Sequence, residues 1–578
     1  MGEQASERNA WWMSALLTSR STTLVADDEA TKAVEPGECS PDDSAIARLQ
    51  ERRLTMNAKY VRAVTVTLTA GACLALGGLG AVRMSRKNVR SVRAANAQSA
   101  PGDFSAVDDY ITARMKAARI PGLSVAIVRG EQIVYRTGYG QADPSGCPVT
   151  PRTPFIVGSI SKTFTALALL QLVEAGAVEL DAPVQRYLPW FRLADPNAQD
   201  AARITVRSLL NHTSGLPQVV ETFLWTDQDD GVLERSVRLL KTTTLRRPIG
   251  AFGYSNANYQ IMGLIVQVVS GQSYEAYVEQ HIFAPLEMRT SFTSERQARQ
   301  HGMATGYRWW FGFPVPVTLP YTRAELPAGY LISSAEDMSH YLIALMNGGQ
   351  YQGRSILSRQ GIAFMQTQPA RGTYGNGWEL ATHNGRMLVN LDGGNPNYQA
   401  SIFFDPKERV GVFVAANVMN ALDGLSSPSG SAMIDGITTR GIAQSVLSLT
   451  MNEPLPNQGL GIARTSLIVD LLALALTGAL VRSLVRMPRR YRRLAQHGMT
   501  HGFDMAKRSA LIAALHFAWP AALLYLALTV PEWRELVLYQ PDLTSWLAAV
   551  ALLVFLKGGL ELALAWRILG QTRRHSVV

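Results

Sequence analysis

Phe155-Ile156-Val157-Gly158-Ser159-Ile160-Ser161-Lys162-Thr163-Phe164 is the stretch on which the reading of this chain turns. A glycine precedes Ser159, Lys162 follows three residues later, and an apolar run continues to Ala175 before Gly176 interrupts it. The run is apolar on nearly every side, which predicts a helix buried at the centre of a domain. Side chains three apart on a helix share a face, so the Lys162 ammonium reaches the Ser159 hydroxyl. A serine hydroxyl is a poor nucleophile at neutral pH; a nearby cation, plus a partner able to take its proton, is one way to activate it. The spacing alone turns up about once or twice by chance in a chain of this length. An N-capped core helix would explain it equally well until the flanking sequence is read.

Working outward, Phe104–Ala118 is helical in pattern, and Leu123–Val128 and Gln132–Tyr139 alternate as two strands around Arg129-Gly130-Glu131. Far downstream, Gln399–Phe404 and Val410–Ala416 form a second hairpin across Asp405-Pro406-Lys407-Glu408. Strands at both ends of a long helical middle predict an α+β domain over residues 103–450. Its antiparallel sheet, closed by both ends of the domain, is flanked by helices, with an all-helical portion between. No internal repeat is present.

A second motif is Gly253-Tyr254-Ser255-Asn256, followed by Ala257-Asn258-Tyr259 and an apolar helix to Val269. A phenol loses its proton near pH 10, but a nearby lysine favours the phenolate and makes Tyr254 a usable base. Asn256 is placed to hydrogen-bond Lys162 or a substrate amide. Tyr374-Gly375-Asn376 repeats the pattern and is read as a decoy. His212 and His383 lie in loops outside these motifs and are read as structural. Tyr307–Phe313 is aromatic enough to line an acyl-chain groove, touch lipid headgroups, or pack as a loop on the core.

With both motifs in order, Ile204-Thr205-Val206-Arg207-Ser208-Leu209-Leu210-Asn211-His212-Thr213-Ser214-Gly215-Leu216 and Pro327-Ala328-Gly329-Tyr330-Leu331-Ile332-Ser333-Ser334-Ala335-Glu336-Asp337 complete a pattern. Residues 105 to 420 resemble the serine hydrolase family of class C β-lactamases, D-Ala-D-Ala carboxypeptidases and related esterases. The resemblance implies a β-lactamase/transpeptidase-like fold, with Ser159 as acylated nucleophile, Lys162 as proton partner, Tyr254 as base and later acid, and Asn256 beside them. It also implies an oxyanion hole built from the backbone N–H groups of Ser159 and Gly394.

The family's substrate-lining strand corresponds to Leu391-Asp392-Gly393-Gly394-Asn395-Pro396-Asn397-Tyr398. Leu391, Asp392, Gly393, Asn395 and Asn397 are the substrate-binding residues that this alignment implies. The usual Lys-Thr-Gly or His-x-Gly motif departs here, because its basic residue is Leu391. A cation at that position would bind a substrate carboxylate, so β-lactam or terminal D-Ala-D-Ala recognition is disfavoured. Esterase relatives accept an apolar residue there. Asn395 and Asn397 read an amide substrate or shape a turn, with the turn favoured. No cofactor and no metal are expected.

At 578 residues the chain exceeds one ordinary domain. Its net charge of +10 invites a nucleic-acid reading, but the densest basic cluster, Arg482 to Arg493, abuts an apolar run and no nucleic-acid motif is present. Cys39, Cys73 and Cys147 are too far apart to announce a disulfide framework or a zinc site. Residues 1–62 are polar and without period, read as disordered, with Met56 as a start site. Residues 63–82 form a signal anchor, or a signal peptide cleaved near Ala95-Asn96-Ala97, and 83–102 a linker.

Thr465–Val481, Ala510–Val530 and Ser545–Leu569 are read as three transmembrane helices within residues 465–569. The connection 482–508 carries Arg486, Arg489, Arg490, Arg492, Arg493, Lys507 and Arg508; the next carries Glu532, Glu535 and Asp542 against Arg534; Arg573 and Arg574 follow the last helix. The positive-inside rule puts the first connection and the C-terminus in the cytoplasm and the 103–450 domain outside. Asp470, Lys557 and Glu561 are expensive within spans; Lys557 and Glu561 lie one turn apart and can pair, which fits packing better than transport.

The whole layout resembles the prodrug-activating peptidases of nonribosomal-peptide pathways, which remove an N-acyl-D-amino-acid cap in the periplasm. The expectation is a multi-pass protein of the bacterial inner membrane whose periplasmic hydrolase domain acts on a small peptide or ester. A carboxylesterase or lipid-directed hydrolase, and a non-catalytic penicillin-binding-like sensor, are the alternatives. The sequence carries no signal for oligomeric state.

Overall fold

The computed structural model describes residues 103–194, 196, 198–218, 226–310, 313–367, 374–383, 385–419, 439–456, 462–497, 502–529 and 541–575. The expected segments 1–62, 63–82 and 83–102 lie outside the described residues. The chain divides into two units, Met1–Cys39 and Ser40–Val578, and every described residue belongs to the second.

Helix α1 (Ser105–Ala118) leads into strands β1 (Gly122–Arg129) and β2 (Gln132–Gly140). Gly130, at φ +62°, makes the turn between them. Helix α2 (Ser161–Glu174) is the apolar run after Ser159; it is buried from Ser161 to Leu170, and Gly176 at φ +72° follows its end. Helix α3 (Asn256–Ser270), hairpin β3 (Tyr307–Trp310) and β4 (Phe313–Pro316), and helix α4 (Ala335–Met346) come next. Strands β5 (Tyr374–Gly375), β6 (Trp378–His383), β7 (Arg386–Asn395), β8 (Tyr398–Asp405) and β9 (Val410–Ala416) follow, and helix α5 (Thr439–Thr450) closes the domain.

The main sheet runs β2-β1-β9-β8-β7-β6-β5, antiparallel where its strands pair. Leu123 faces Ala416 and Arg129 faces Val410, so the two ends of the domain meet inside the sheet as expected. Strand side chains alternate between faces, and the cores sort accordingly. Ala126, Val128, Leu391, Ile402 and Phe413 pack toward α2, α3 and α4, whereas Leu123, Val125, Ile127, Phe403, Val412 and Val414 pack with α1 and α5. Cys147 is disulfide-bonded, which the spacing of the cysteines does not announce.

All three C-terminal runs are helical: α6 (Ile462–His497), α7 (Gly502–Thr529) and α8 (Pro541–His575). Among the described residues, one stretch, Asp542–Leu564 of α8, is long and apolar enough to cross a membrane; Leu511–Tyr525 of α7 is shorter. The expected Lys557–Glu561 pair forms at 3.9 Å, and His516 of α7 joins it, its Nε2 lying 3.0 Å from Lys557 Nζ. Trp546 of α8 donates to Thr477 Oγ1 of α6 at 2.8 Å.

Candidate active site

Ser159 sits in a single tight turn, Gly158–Ile160, that runs into α2. The turn needs glycine at 158: φ is +56°, and a Cβ there would lie 2.3 Å from the Gly394 nitrogen. Ser161 staples it, donating to the Gly158 carbonyl at 2.7 Å and accepting from the Leu331 N–H at 3.0 Å. The Ser159 Oγ is left at the surface of this construction. It accepts from Lys162 Nζ at 3.0 Å and from the Tyr254 hydroxyl at 2.8 Å.

Lys162 is entirely buried and also donates to the Ala328 carbonyl. Its Nζ lies 4.9 Å from the centre of the Tyr254 ring and 5.7 Å from that of Tyr259. Burial brings its pKa down from 10.5 to about 7, with the Glu325 carboxylate pulling the other way. A charged amine is costly to bury, so near neutrality a substantial fraction is the free base, able to take a proton from Ser159. Glu325 is itself fully buried and accepts from Gln260 Nε2 at 3.0 Å. Glu325, Gln260 and the Ala328 carbonyl escaped the sequence reading. The Pro327-Ala328-Gly329 text marks the neighbourhood, but nothing in it reveals which groups turn toward Lys162.

Tyr254 lies two residues before α3 and is 38% exposed, so it forms the rim of the site while Lys162 forms its floor. Its ring rests 4.4 Å from that of His212. His212 is buried at φ +54°; its Nδ1 accepts from the Ser255 N–H at 3.2 Å and lies 3.0 Å from Asn258 Nδ2. Burial first, and the Lys162 charge second, hold this imidazole well below its ordinary pKa. It is a neutral support behind Tyr254, in line with the structural reading. Tyr374, read as a decoy, completes the same wall, its ring 4.6 Å from His212 and its hydroxyl donating to Tyr259 at 3.1 Å. His383 ends β6, and its side chain is outside the described residues.

Strand β7 crosses directly against the nucleophile turn. A Cβ on Gly393 would lie 1.9 Å from the Val157 carbonyl oxygen and 2.9 Å from the Ser159 nitrogen. Glycines on both sides of this crossing, Gly158 against the Gly394 nitrogen and Gly393 against the Ser159 nitrogen, let the two backbones approach this closely.

The period of two along β7 corrects part of the expected substrate set. Leu391 is 2% exposed and belongs to the core against the helices, so it is a packing residue rather than a substrate contact. Asp392 points to the opposite face, where it accepts from Ser401 Oγ at 2.7 Å and from Arg440 of α5 at 2.6 Å, away from Ser159. Asn397 is buried in the β7–β8 turn and donates to the Val317 carbonyl at 3.2 Å, which is the turn role. Asn395 shares the face of Gly393, and its buried Nδ2 has no hydrogen-bond partner among the described residues. Asn256 begins α3 with its N–H donating to Gln218 at 3.0 Å, while its buried Oδ1 likewise lacks a partner there. Lys162 is engaged by Ser159 and Ala328 rather than by Asn256.

Because Asp392 and Arg440 are both about one-third exposed, their ion pair contributes modestly. Asp392→Asn is expected to destabilise the chain by about 1 kcal/mol or less in a thermal melt while leaving acylation at Ser159 close to the natural rate. A large loss of acylation with an unchanged melt would return Asp392 to the site.

Among the described residues, no group of three His, Cys, Asp or Glu side chains is arranged to hold a metal ion.

A sequence model of the family described as Beta-lactamase matches residues 107–426, which contain every group gathered around Ser159. "Protein flp" of Staphylococcus aureus strain MW2 is 30% identical over 322 residues, covering 54% of this chain and 62% of that protein. "Putative penicillin-binding protein PbpX" of Bacillus subtilis strain 168 is 33% identical over 256 residues, covering 44% of this chain and 61% of that protein. The chain therefore spans less than two thirds of either relative. Among solved structures, the octameric penicillin-binding protein homologue from Pyrococcus abyssi superposes with a TM-score of 0.52 at 27% identity, over 61% of this chain and 78% of that one.

Proposed function

The chain belongs to the Beta-lactamase family, and from that premise we propose that it is a serine hydrolase that opens amide or ester bonds through an acyl-enzyme on Ser159. The observation that carries this is the Ser159 hydroxyl held between Lys162 Nζ at 3.0 Å and the Tyr254 hydroxyl at 2.8 Å. In the first half-reaction Oγ attacks the substrate carbonyl carbon and its proton passes to the Lys162 amine. The oxyanion is met by the Ser159 and Gly394 amides. Collapse breaks the scissile bond, and Tyr254 protonates the leaving group. Water then attacks the acyl carbon as the Tyr254 phenolate takes its proton, and the second collapse releases the acid while the Lys162 ammonium returns its proton to Ser159 Oγ.

The buried Asn256 Oδ1, which has no partner among the described residues, favours a small peptide substrate, because an amide N–H reaching it would supply a donor that an ester lacks. Removal of an N-acyl-D-amino-acid group is the peptidase reaction we favour. The ester reading, a carboxylesterase or lipid-directed hydrolase, is supported by Leu391 standing where a carboxylate-binding cation would be. A non-catalytic sensor is disfavoured by the convergence of Ser159, Lys162 and Tyr254. We further propose that α6, α7 and α8 hold the domain at the outer face of a bacterial inner membrane. The apolar stretch of α8 and the basic connection 482–508 support that placement.

The test is a fluorophosphonate or penicillin-type probe on the full chain beside its Ser159→Ala variant. The expected result is stoichiometric label on the Ser159 peptide, absent from the variant. Equal labelling of the two would sink the acyl-enzyme reading.

A further inference from the structure

The aromatic run around Trp309 is the β3–β4 hairpin, with Trp310 opposite Phe313 at its tip. Its root is anchored: Tyr307 is buried, and β3 is flanked on its other side by Val418-Met419 in parallel pairing. The side chains flanking the turn stay at the surface. Trp310 is 43% exposed, Phe313 62% and Val315 41%. A cluster of exposed large apolar side chains on one hairpin costs solubility and calls for an occupant.

Three features of the surroundings point to the same one. First, cations flank the tip: Arg119, at the left-handed C-terminal residue of α1, lies 4.7 Å over the Phe313 ring, and exposed Lys116 sits in the last turn of α1. Second, β3 packs on α8, and Arg308 interacts electrostatically with Asp542, the first residue of the apolar stretch Asp542–Leu564. The hairpin therefore stands where that stretch begins. Third, its base is braced on the active-site strand: Gly306 packs against Asn397, whose Nδ2 donates to the Val317 carbonyl. Trp and Phe beside Arg and Lys, level with the end of an apolar helix, is the chemistry of a bilayer interface with anionic headgroups.

We propose that the β3–β4 hairpin is a membrane-interface element that lays Trp310, Phe313 and Val315 into the headgroup–acyl boundary beside α8, with Arg119 and Lys116 against anionic headgroups. This rests on the reading of α8 as a span. The hairpin then serves as a second contact with the bilayer, and through Asn397 it sets the orientation of the β7–β8 turn next to Gly394.

The test uses the full chain in nanodiscs of phosphatidylcholine and phosphatidylglycerol, with photoreactive p-benzoylphenylalanine in place of Phe313. A second chain carries it in place of Val268, 52% exposed on α3. Lipid adducts on the 313 peptide are expected to exceed those on the 268 peptide by about tenfold, and to fall when Arg119→Glu is added or phosphatidylglycerol is omitted. Equal adducts at the two sites, or crosslinks from 313 to a second copy of the chain instead of lipid, would overturn the proposal. An alkaline carbonate wash of native membranes separates the two readings. A chain that washes off sinks the span itself, whereas a retained chain without lipid adducts sinks only the hairpin.

Discussion

A Lys162→Met chain is expected to melt at a higher temperature than the natural one and to acylate Ser159 about 10²–10⁴-fold more slowly. Both effects come from one cause. Lys162 is wholly enclosed, so folding strips its ammonium of water, and its pKa falls from 10.5 to about 7. Between those values the unfolded chain binds a proton that the folded chain does not. The natural protein's stability should therefore rise with pH across that window and level off on either side. Methionine removes the ammonium's burial penalty at similar volume, and the loss of its attraction to the buried Glu325 carboxylate offsets part of that gain. Calorimetry at pH 7 and pH 9 should show the gain at its largest at the lower pH. The same titration sets the rate: kcat/KM should climb through about pH 7 as the amine loses its proton, and the variant should lack that limb. A variant that melts lower, or labels at the natural rate, would remove Lys162 from both roles.

Gly393→Ala should be nearly as damaging, by a different route. The added methyl would meet the Val157 carbonyl oxygen at 1.9 Å, and that partner is backbone, not a side chain that can rotate away. Relief requires β7 to withdraw from the nucleophile turn, carrying the Gly394 amide away from Ser159 and so disabling the oxyanion contact proposed for it. Loss of one oxyanion donor costs about 10²–10³-fold in rate, and the distortion should cost about 1–3 kcal/mol in stability. Gly394→Ala is the comparison: its methyl would meet only Met419 Cε at 3.0 Å, the end of a flexible side chain. It should fold normally and keep acylation within about tenfold. If the two variants behave alike in labelling kinetics and thermal melts, the close crossing does not organise the site.

What could be read without coordinates follows from the range over which each signal acts. Ser159 and Lys162 are neighbours on one turn, so spacing alone brings them together. Tyr254 needed the resemblance, because nothing local connects it to residue 159. The β7 set illustrates a different limit. Leu391, Asp392, Gly393 and Asn395 were grouped by motif, yet a strand sends Asp392 to the face opposite the others, and Arg440 waits there to receive it. Strand periodicity alone could have separated them. Glu325 was not legible: a carboxylate near Pro327 reads as a surface residue until the fold shows it enclosed behind Lys162. The apolar runs at the C-terminus did become helices, but among the described residues only Asp542–Leu564 is long and apolar enough to cross a membrane. Charge asymmetry predicts sidedness, not which runs are long enough to cross.

The pairing of β1 with β9, Leu123 opposite Ala416, also fixes an order of events in the life of the chain. The β1–β2 hairpin is made early, but one edge of β1 has no partner until nearly the whole domain has emerged. Such distant pairing makes closure slow, since a long loop must be ordered before the contact rewards it. In the interval Val125 and Ile127 are unshielded, and the Ser159 turn has no β7 to rest on. The nascent domain is thus both sticky and inactive until its last strand arrives, so hydrolysis cannot begin on a half-made chain. Chaperone protection should matter most in that interval, before residue 410 is available.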